Sequence, residues 1–177
     1  MLRFMLIPFF MLALEAGMGY WFGFDIALAS VIALTIFVIA SLTDLLDGML
    51  ARKLNLITDF GALMDPLADK VLVMAAMVYL VRLGALPAFV AITILAREFI
   101  ISGIRMLALN KGVVISAGLM GKLKTVTQML MIIILMLGLI FDQHLLNIIG
   151  WVLIWAALTL TILSLVEYIT KNLSIWK

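Results

Sequence analysis

The sequence predicts an all-α protein, a single domain over residues 1–177, that crosses a membrane six times. Three observations predict it. Hydrophobic residues make up 67% of the chain and charged residues only 12%, more apolar surface than one soluble core of this size can hide. The apolar residues gather into six long segments, each near the roughly 20 residues a helix needs to cross a bilayer. Between the segments lie only short connections, without repeats, low-complexity stretches or a soluble domain.

The first segment, 2–22, opens on Arg3; Glu15 interrupts its apolar run, and its length suits a span better than a signal peptide. The second and third, 26–46 and 63–82, flank a connection over 47–62 that carries Arg52 and Lys53. The fourth, 86–107, holds Arg97 and Arg105, and a connection over 108–120 leads to the fifth, 121–141. The sixth covers 147–170, with Trp151 and Trp155 expected as interface anchors, like Trp21 and Trp176 elsewhere. Basic residues fix the expected orientation. Arg3, Arg52, Lys53, Lys111, Lys122, Lys124, Lys171 and Lys177 fall on one side, and Arg82 on the other with Glu15, Asp25, Asp142 and His144. Both termini and the 47–62 and 108–120 connections are therefore expected in the cytoplasm. The chain has no cysteine and one histidine, His144. That excludes disulfides, zinc–thiolate sites, thiol nucleophiles and any metal cage needing two imidazoles. A net charge of +2 gives no argument for a nucleic-acid partner.

Five of the ten acidic residues, Asp44, Asp47, Asp59, Asp65 and Asp69, fall within one short window. In so apolar a chain this clustering asks for a cause. Asp44 and Asp47 are three apart, and Asp65 and Asp69 four apart, so on helices each pair shares a face. Successive helices with a short connection are usually antiparallel neighbours, which allows four carboxylates to converge. Ionised together, they raise one another's pKa. Hard divalent cations such as Mg²⁺ or Mn²⁺ resolve the repulsion through oxygen ligands, and two such ions form a clamp for in-line phosphoryl chemistry. Gly48, Ala51 and Gly61 leave room for a flat ligand or for close helix packing. Arg52 offers a fork of donors to phosphate oxygens, or anchors the cytoplasmic side beside Lys53. Asp59 lies off the spacing and fits a helix start.

The string from Asp44 to Asp69 resembles the signature of the CDP-alcohol phosphotransferase family, D-x2-D-G-x2-A-R-x8-G-x3-D-x3-D, with every fixed position present. The resemblance implies that Asp44, Asp47 and Asp65 hold one metal ion and Asp44, Asp65 and Asp69 a second. It implies that Asp69 is the general base, and that Gly48, Ala51, Arg52 and Gly61 line a cytidine diphosphate pocket. A homodimer is implied as well. The family's leader, an Asn and a Thr ahead of an Arg, is matched here by Arg3 alone after Met1 and Leu2.

An acceptor alcohol carrying its own phosphate needs cations near the carboxylates. Arg97 and Arg105 lie close to one face of the fourth helix, and Lys122 and Lys124 open the fifth. An arginine at mid-membrane costs roughly 2.5–3.5 kcal/mol on insertion scales, so Arg97 needs a partner: substrate, Glu98 or Glu167. Lys122 and Lys124 also fit as cytoplasmic anchors, and Arg105 could snorkel to the interface. Ala96-Arg97-Glu98, Arg105, Gly121-Lys122-Leu123-Lys124-Thr125, Gln128 and Glu167-Tyr168 resemble the bacterial phosphatidylglycerophosphate synthases. This implies transfer from CDP-diacylglycerol to glycerol 3-phosphate at the cytoplasmic face of a bacterial inner membrane. Other acceptors (inositol phosphate, serine), an intramembrane prenyltransferase and a cation transporter are the competing readings. The transporter lacks the expected repeated halves, and the prenyltransferase needs two separate aspartate motifs.

Overall fold

In hydrocarbon every backbone N–H and C=O has to be satisfied internally, which makes the helix the local solution for an apolar segment. The computed structural model describes residues 2–16, 25–54, 59–110 and 118–171, with side chains over 6–16, 25–43, 70–108 and 118–171. Among these residues the chain forms six α-helices and no strand: α1 Leu2–Ala16, α2 Ile26–Leu54, α3 Asp59–Arg82, α4 Ala88–Asn110, α5 Leu119–Phe141 and α6 His144–Lys171. Each falls on one of the six expected segments. Among the described residues three stretches are long and apolar enough to cross a bilayer: Ile26–Thr43 of α2, α5 and α6. α4 interrupts its apolar run with Arg97, Glu98 and Arg105, and α3 with Asp65, Asp69 and Lys70. α1 is described over 15 residues, short of the expected 2–22; Trp21 lies outside the described residues, as does Trp176.

The boundaries differ most at the aspartate motif. The expected second segment stops at 46, yet α2 runs on to Leu54, and α3 starts at Asp59 rather than 63. The connection read as 47–62 is therefore reduced to 55–58. Hydropathy falls after Ala40, but Met49, Leu50, Ala51, Arg52, Lys53 and Leu54 are strong helix formers. Backbone propensity carries the helix past the point where its apolar character ends.

Contacts at one end of the bundle fix the helix directions. Tyr79 Oη donates to the Leu14 carbonyl, and Arg82 Nη1 donates to Glu15 Oε1 at 2.9 Å. The last turns of α1 and α3 thus meet, and the two helices run parallel. Asp25, Gly84, Pro87, Asp142 and Asn147 line one hollow of about 650 Å³. The start of α2, the α3–α4 turn and the α5–α6 turn therefore share that end. Gly84 makes the first turn at φ 73°, and Asp142 caps α5 in the left-handed region at φ 44° while donating its N–H to the Gly138 carbonyl.

α5 sits centrally, packed on α2, α3 and α6. The core joins Phe10 and Phe37, ring centroids 6.2 Å apart, to Leu80, Ile94, Met131 and Ile154. Gly150 sets the α5–α6 distance, since a Cβ there would stand 2.9 Å from Leu135 Cδ2. Outward faces carry Phe9, Ile92, Val126, Trp151 and Val152. Outward hydroxyls are satisfied locally: Thr35, Thr93, Thr127 and Thr159 each donate to the carbonyl four residues back.

Candidate active site

The aspartates stand on the two helices that the 55–58 connection joins. Asp44, Asp47, Gly48, Ala51 and Arg52 belong to the last turns of α2, and Gly61, Asp65 and Asp69 to the first turns of α3. On a continuous α2, residues 44, 47, 48 and 51 follow the spacing of one helix stripe, and on α3 residues 61, 65 and 69 do the same. The side chains of all eight lie outside the described residues. Among the described residues no group of His, Asp and Glu could hold a metal, so the metal expectation rests on these aspartates alone.

Among the described residues, α3, α4, α5 and α6 contribute a charged cluster. Arg97, only 9% exposed, donates from Nη1 to Glu98 Oε1 at 2.8 Å and from Nη2 to Ser164 Oγ at 3.0 Å. Lys124, 2% exposed, donates to the same Glu98 oxygen. A buried cation is tolerated only when paired and hydrogen-bonded, and Glu98 supplies that for both. Ser164 Oγ in turn donates to the Thr161 carbonyl at 2.9 Å. Gly121 of α5 faces the guanidinium: a Cβ there would stand in ordinary contact, 3.9 Å from Arg97 Nη2. On the α3 side, Lys70 Nζ donates to Ser102 Oγ, which donates to the Glu98 carbonyl at 2.6 Å.

Lys70, Glu98 and Lys124 border a cavity of about 50 Å³ between α3, α4 and α5. Its polar wall is Lys70, Glu98, Lys124, Thr125 and Gln128, and Val73, Met74, Leu95, Phe99 and Met129 close the rest. Gln128 Nε2 also reaches Met77 Sδ at 3.7 Å. One water needs roughly 10–15 Å³ of such space, so a small polar group fits.

The four cations expected from the sequence separate here. Arg97 and Lys124 come together on Glu98, so the Arg97–Glu98 pairing is realised, while Glu167 pairs instead with Lys171 at 2.6 Å. Arg105 stands apart, its guanidinium 5.8 Å from the Tyr168 ring centroid, with Nε lacking a hydrogen-bond partner among the described residues. Lys122 is exposed on α5.

A family model described as CDP-alcohol phosphatidyltransferase matches residues 1–163 of this chain. The chain belongs to that family. Among its relatives, a "CDP-diacylglycerol–glycerol-3-phosphate 3-phosphatidyltransferase" of Bacillus subtilis is 37% identical over 175 residues, covering 96% of this chain and 90% of the relative. A "probable phosphatidylglycerophosphate synthase" of Mycobacterium tuberculosis is 38% identical over 173 residues, covering 98% and 78%. A protein of Rickettsia bellii with the same name as the Bacillus one is 40% identical over 143 residues, covering 80% and 78%. The family match contains the whole Asp44–Asp69 signature and the charged cluster up to Lys124.

Sequence reasoning passed over Lys70, Ser102 and Ser164. Lys70 directly follows the last motif aspartate, a position easily taken for a neutralising neighbour. Ser102 is four residues after Glu98 on one helix face, a spacing that could have been noticed. Ser164 had no such signal: it meets Arg97 across 67 residues of chain.

Proposed function

We propose that the protein transfers a phosphatidyl group from CDP-diacylglycerol to glycerol 3-phosphate, giving phosphatidylglycerophosphate and CMP. The complete aspartate signature on α2 and α3 and the names of the relatives support the chemistry. The observation that carries the acceptor is the cluster around Glu98: among the described residues two cations, Arg97 and Lys124, share one carboxylate oxygen, and a third, Lys70, is tied to the same turn of α4 through Ser102. A phosphate monoester carries about −1.5 to −2 charge at neutral pH, which such a cluster suits. Serine brings no comparable anion.

Family members depend on a divalent metal, and the oxygen-only donor set of Asp44, Asp47, Asp65 and Asp69 fits Mg²⁺ or Mn²⁺. In this reading Asp44, Asp47 and Asp65 hold one ion and Asp44, Asp65 and Asp69 a second; bound there, they neutralise the charge of the diphosphate. Gly48, Ala51 and Gly61 give the cytidine diphosphate room, and Arg52 donates to its phosphate oxygens. Asp69 takes the proton from the acceptor hydroxyl as that oxygen attacks the lipid-bearing phosphorus and CMP leaves. Arg97 and Lys124 hold the acceptor's phosphate side, with Arg105 and Lys122 nearer the cytoplasmic rim. All six helices cross the membrane, with both termini and the site at the cytoplasmic face, and the chain works as a homodimer. The distribution of Lys and Arg supports the orientation, and the family resemblance supports the dimer.

The test is CMP release by purified protein in detergent, given CDP-diacylglycerol, Mg²⁺ and one acceptor per tube. Release that requires glycerol 3-phosphate is the expected result. Release with inositol phosphate or serine in its place overturns the acceptor and keeps the chemistry; no release with any acceptor from folded protein overturns both.

A further inference from the structure

Lys70 follows Asp69 in α3 and reaches across to α4, where its ammonium meets Ser102 Oγ. The one proton of that hydroxyl is committed to the Glu98 carbonyl at 2.6 Å, so Ser102 meets the ammonium as an acceptor. An ammonium has three donors, and Ser102 takes one. Among the described residues no carboxylate pairs with Lys70, whereas Arg97 and Lys124 already share Glu98 Oε1. Lys70 and Lys124 border the same cavity from opposite helices. Val73, Leu95, Phe99 and Met129 give its other sides an apolar lining, and a low-polarity wall strengthens an ionic contact made against it. Arg105 does not border that cavity and lies over the Tyr168 ring instead.

We propose that Lys70 is a further acceptor-binding residue for this reaction, its ammonium taking the acceptor's phosphate in the cavity it shares with Lys124. The proposal rests on the acceptor reading above. It gives Lys70 a role that Lys124 cannot fill, because Lys70 stands on the same helix as Asp69 and one residue from it. Holding the phosphate from α3 sets the distance between the acceptor's hydroxyl and the group that takes its proton. Lys70 thereby discriminates a phosphorylated acceptor from a plain alcohol.

The experiment measures CMP release by wild-type protein and Lys70→Gln in detergent. Glycerol 3-phosphate is varied at saturating CDP-diacylglycerol, then the reverse, and glycerol is tried as a second acceptor. Expected is a rise of about tenfold or more in KM for glycerol 3-phosphate, the worth of one charge-assisted contact. KM for CDP-diacylglycerol stays unchanged, the preference for glycerol 3-phosphate over glycerol shrinks, and Lys70→Arg recovers part of the loss. An unchanged KM for glycerol 3-phosphate, or an equal rise for both substrates, overturns the proposal. If Lys70→Gln does not fold, Ser102→Ala decides: a raised acceptor KM supports the placement of Lys70, and an unchanged one overturns it. Wild-type protein that does not depend on glycerol 3-phosphate sinks the acceptor reading itself, so the two failures remain distinct.

Discussion

Glu98 organises the charged cluster because one of its oxygens receives both a guanidinium and an ammonium within an apolar bundle. Replacing it with Ala takes from two nearly buried cations the carboxylate they share, and breaking such a pair costs far more than the pair itself contributes. Glu98→Ala is expected to lower stability by on the order of 2 kcal/mol, read as a lower unfolding temperature in detergent, with a raised KM for glycerol 3-phosphate. A thermal shift as small as that of a surface variant would show that the cations find other partners. The Arg82–Glu15 pair makes a useful contrast. Both side chains are more than two-fifths exposed, so Glu15→Gln is expected to change stability by no more than about 0.5 kcal/mol in the same assay. At the motif itself, Asp69→Asn is expected to abolish CMP release at every pH tested; residual turnover rising with pH would point to another base.

At the scale of elements, the tightest contact is between α5 and α6. A Cβ at Gly150 would overlap Leu135, and overpacking of this kind typically costs about 1–3 kcal/mol. Gly150→Val is therefore expected to lower the unfolding temperature while leaving both KM values near wild type in the protein that remains folded. A loss confined to acceptor binding would instead mean that the α5–α6 spacing positions Lys124. The same pair carries Ser164 to Arg97 and Lys124 to Glu98, so α4 is held between two helices that approach it from later in the chain. α2 and α3 obey a different logic. Their apolar stretches anchor them in the bundle, and strong helix formers extend α2 to Leu54, carrying Asp44, Asp47 and Arg52 on a rigid element rather than in a loop.

For the whole molecule, the hollow lined by Asp25, Gly84, Asp142 and Asn147 lies at one end of the bundle, and the cluster around Glu98, near the middle of α4, borders a separate cavity. With no native cysteine, the orientation can be read by single substitutions. In intact cells, a cysteine at 25 or 142 is expected to react with an impermeant thiol reagent, and one at 53 only after the membrane is opened. The reverse pattern would place the aspartates on the outer side and overturn the proposed orientation. Chelation with EDTA is expected to stop CMP release and added Mg²⁺ or Mn²⁺ to restore it; release that survives EDTA would remove the metal role from the aspartates.

The sequence by itself determined the six helices and the family. Apolar composition leaves helices as the solution in a membrane, and the spacing from Asp44 to Asp69 is written in consecutive turns. It misjudged the ends of α2 and α3, because hydropathy reports burial while the helix continues on backbone propensity. It named Arg97, Arg105, Lys122 and Lys124 as a set, yet had no means to separate them. Only the tertiary structure decided that Arg97 and Lys124 converge on Glu98, that Arg105 turns to Tyr168, and that Lys70 shares a cavity with Lys124. Arg97 and Glu98 are neighbours, but the other pairings join residues tens of positions apart, and which cation reaches which carboxylate depends on how helices pack, which no local pattern encodes.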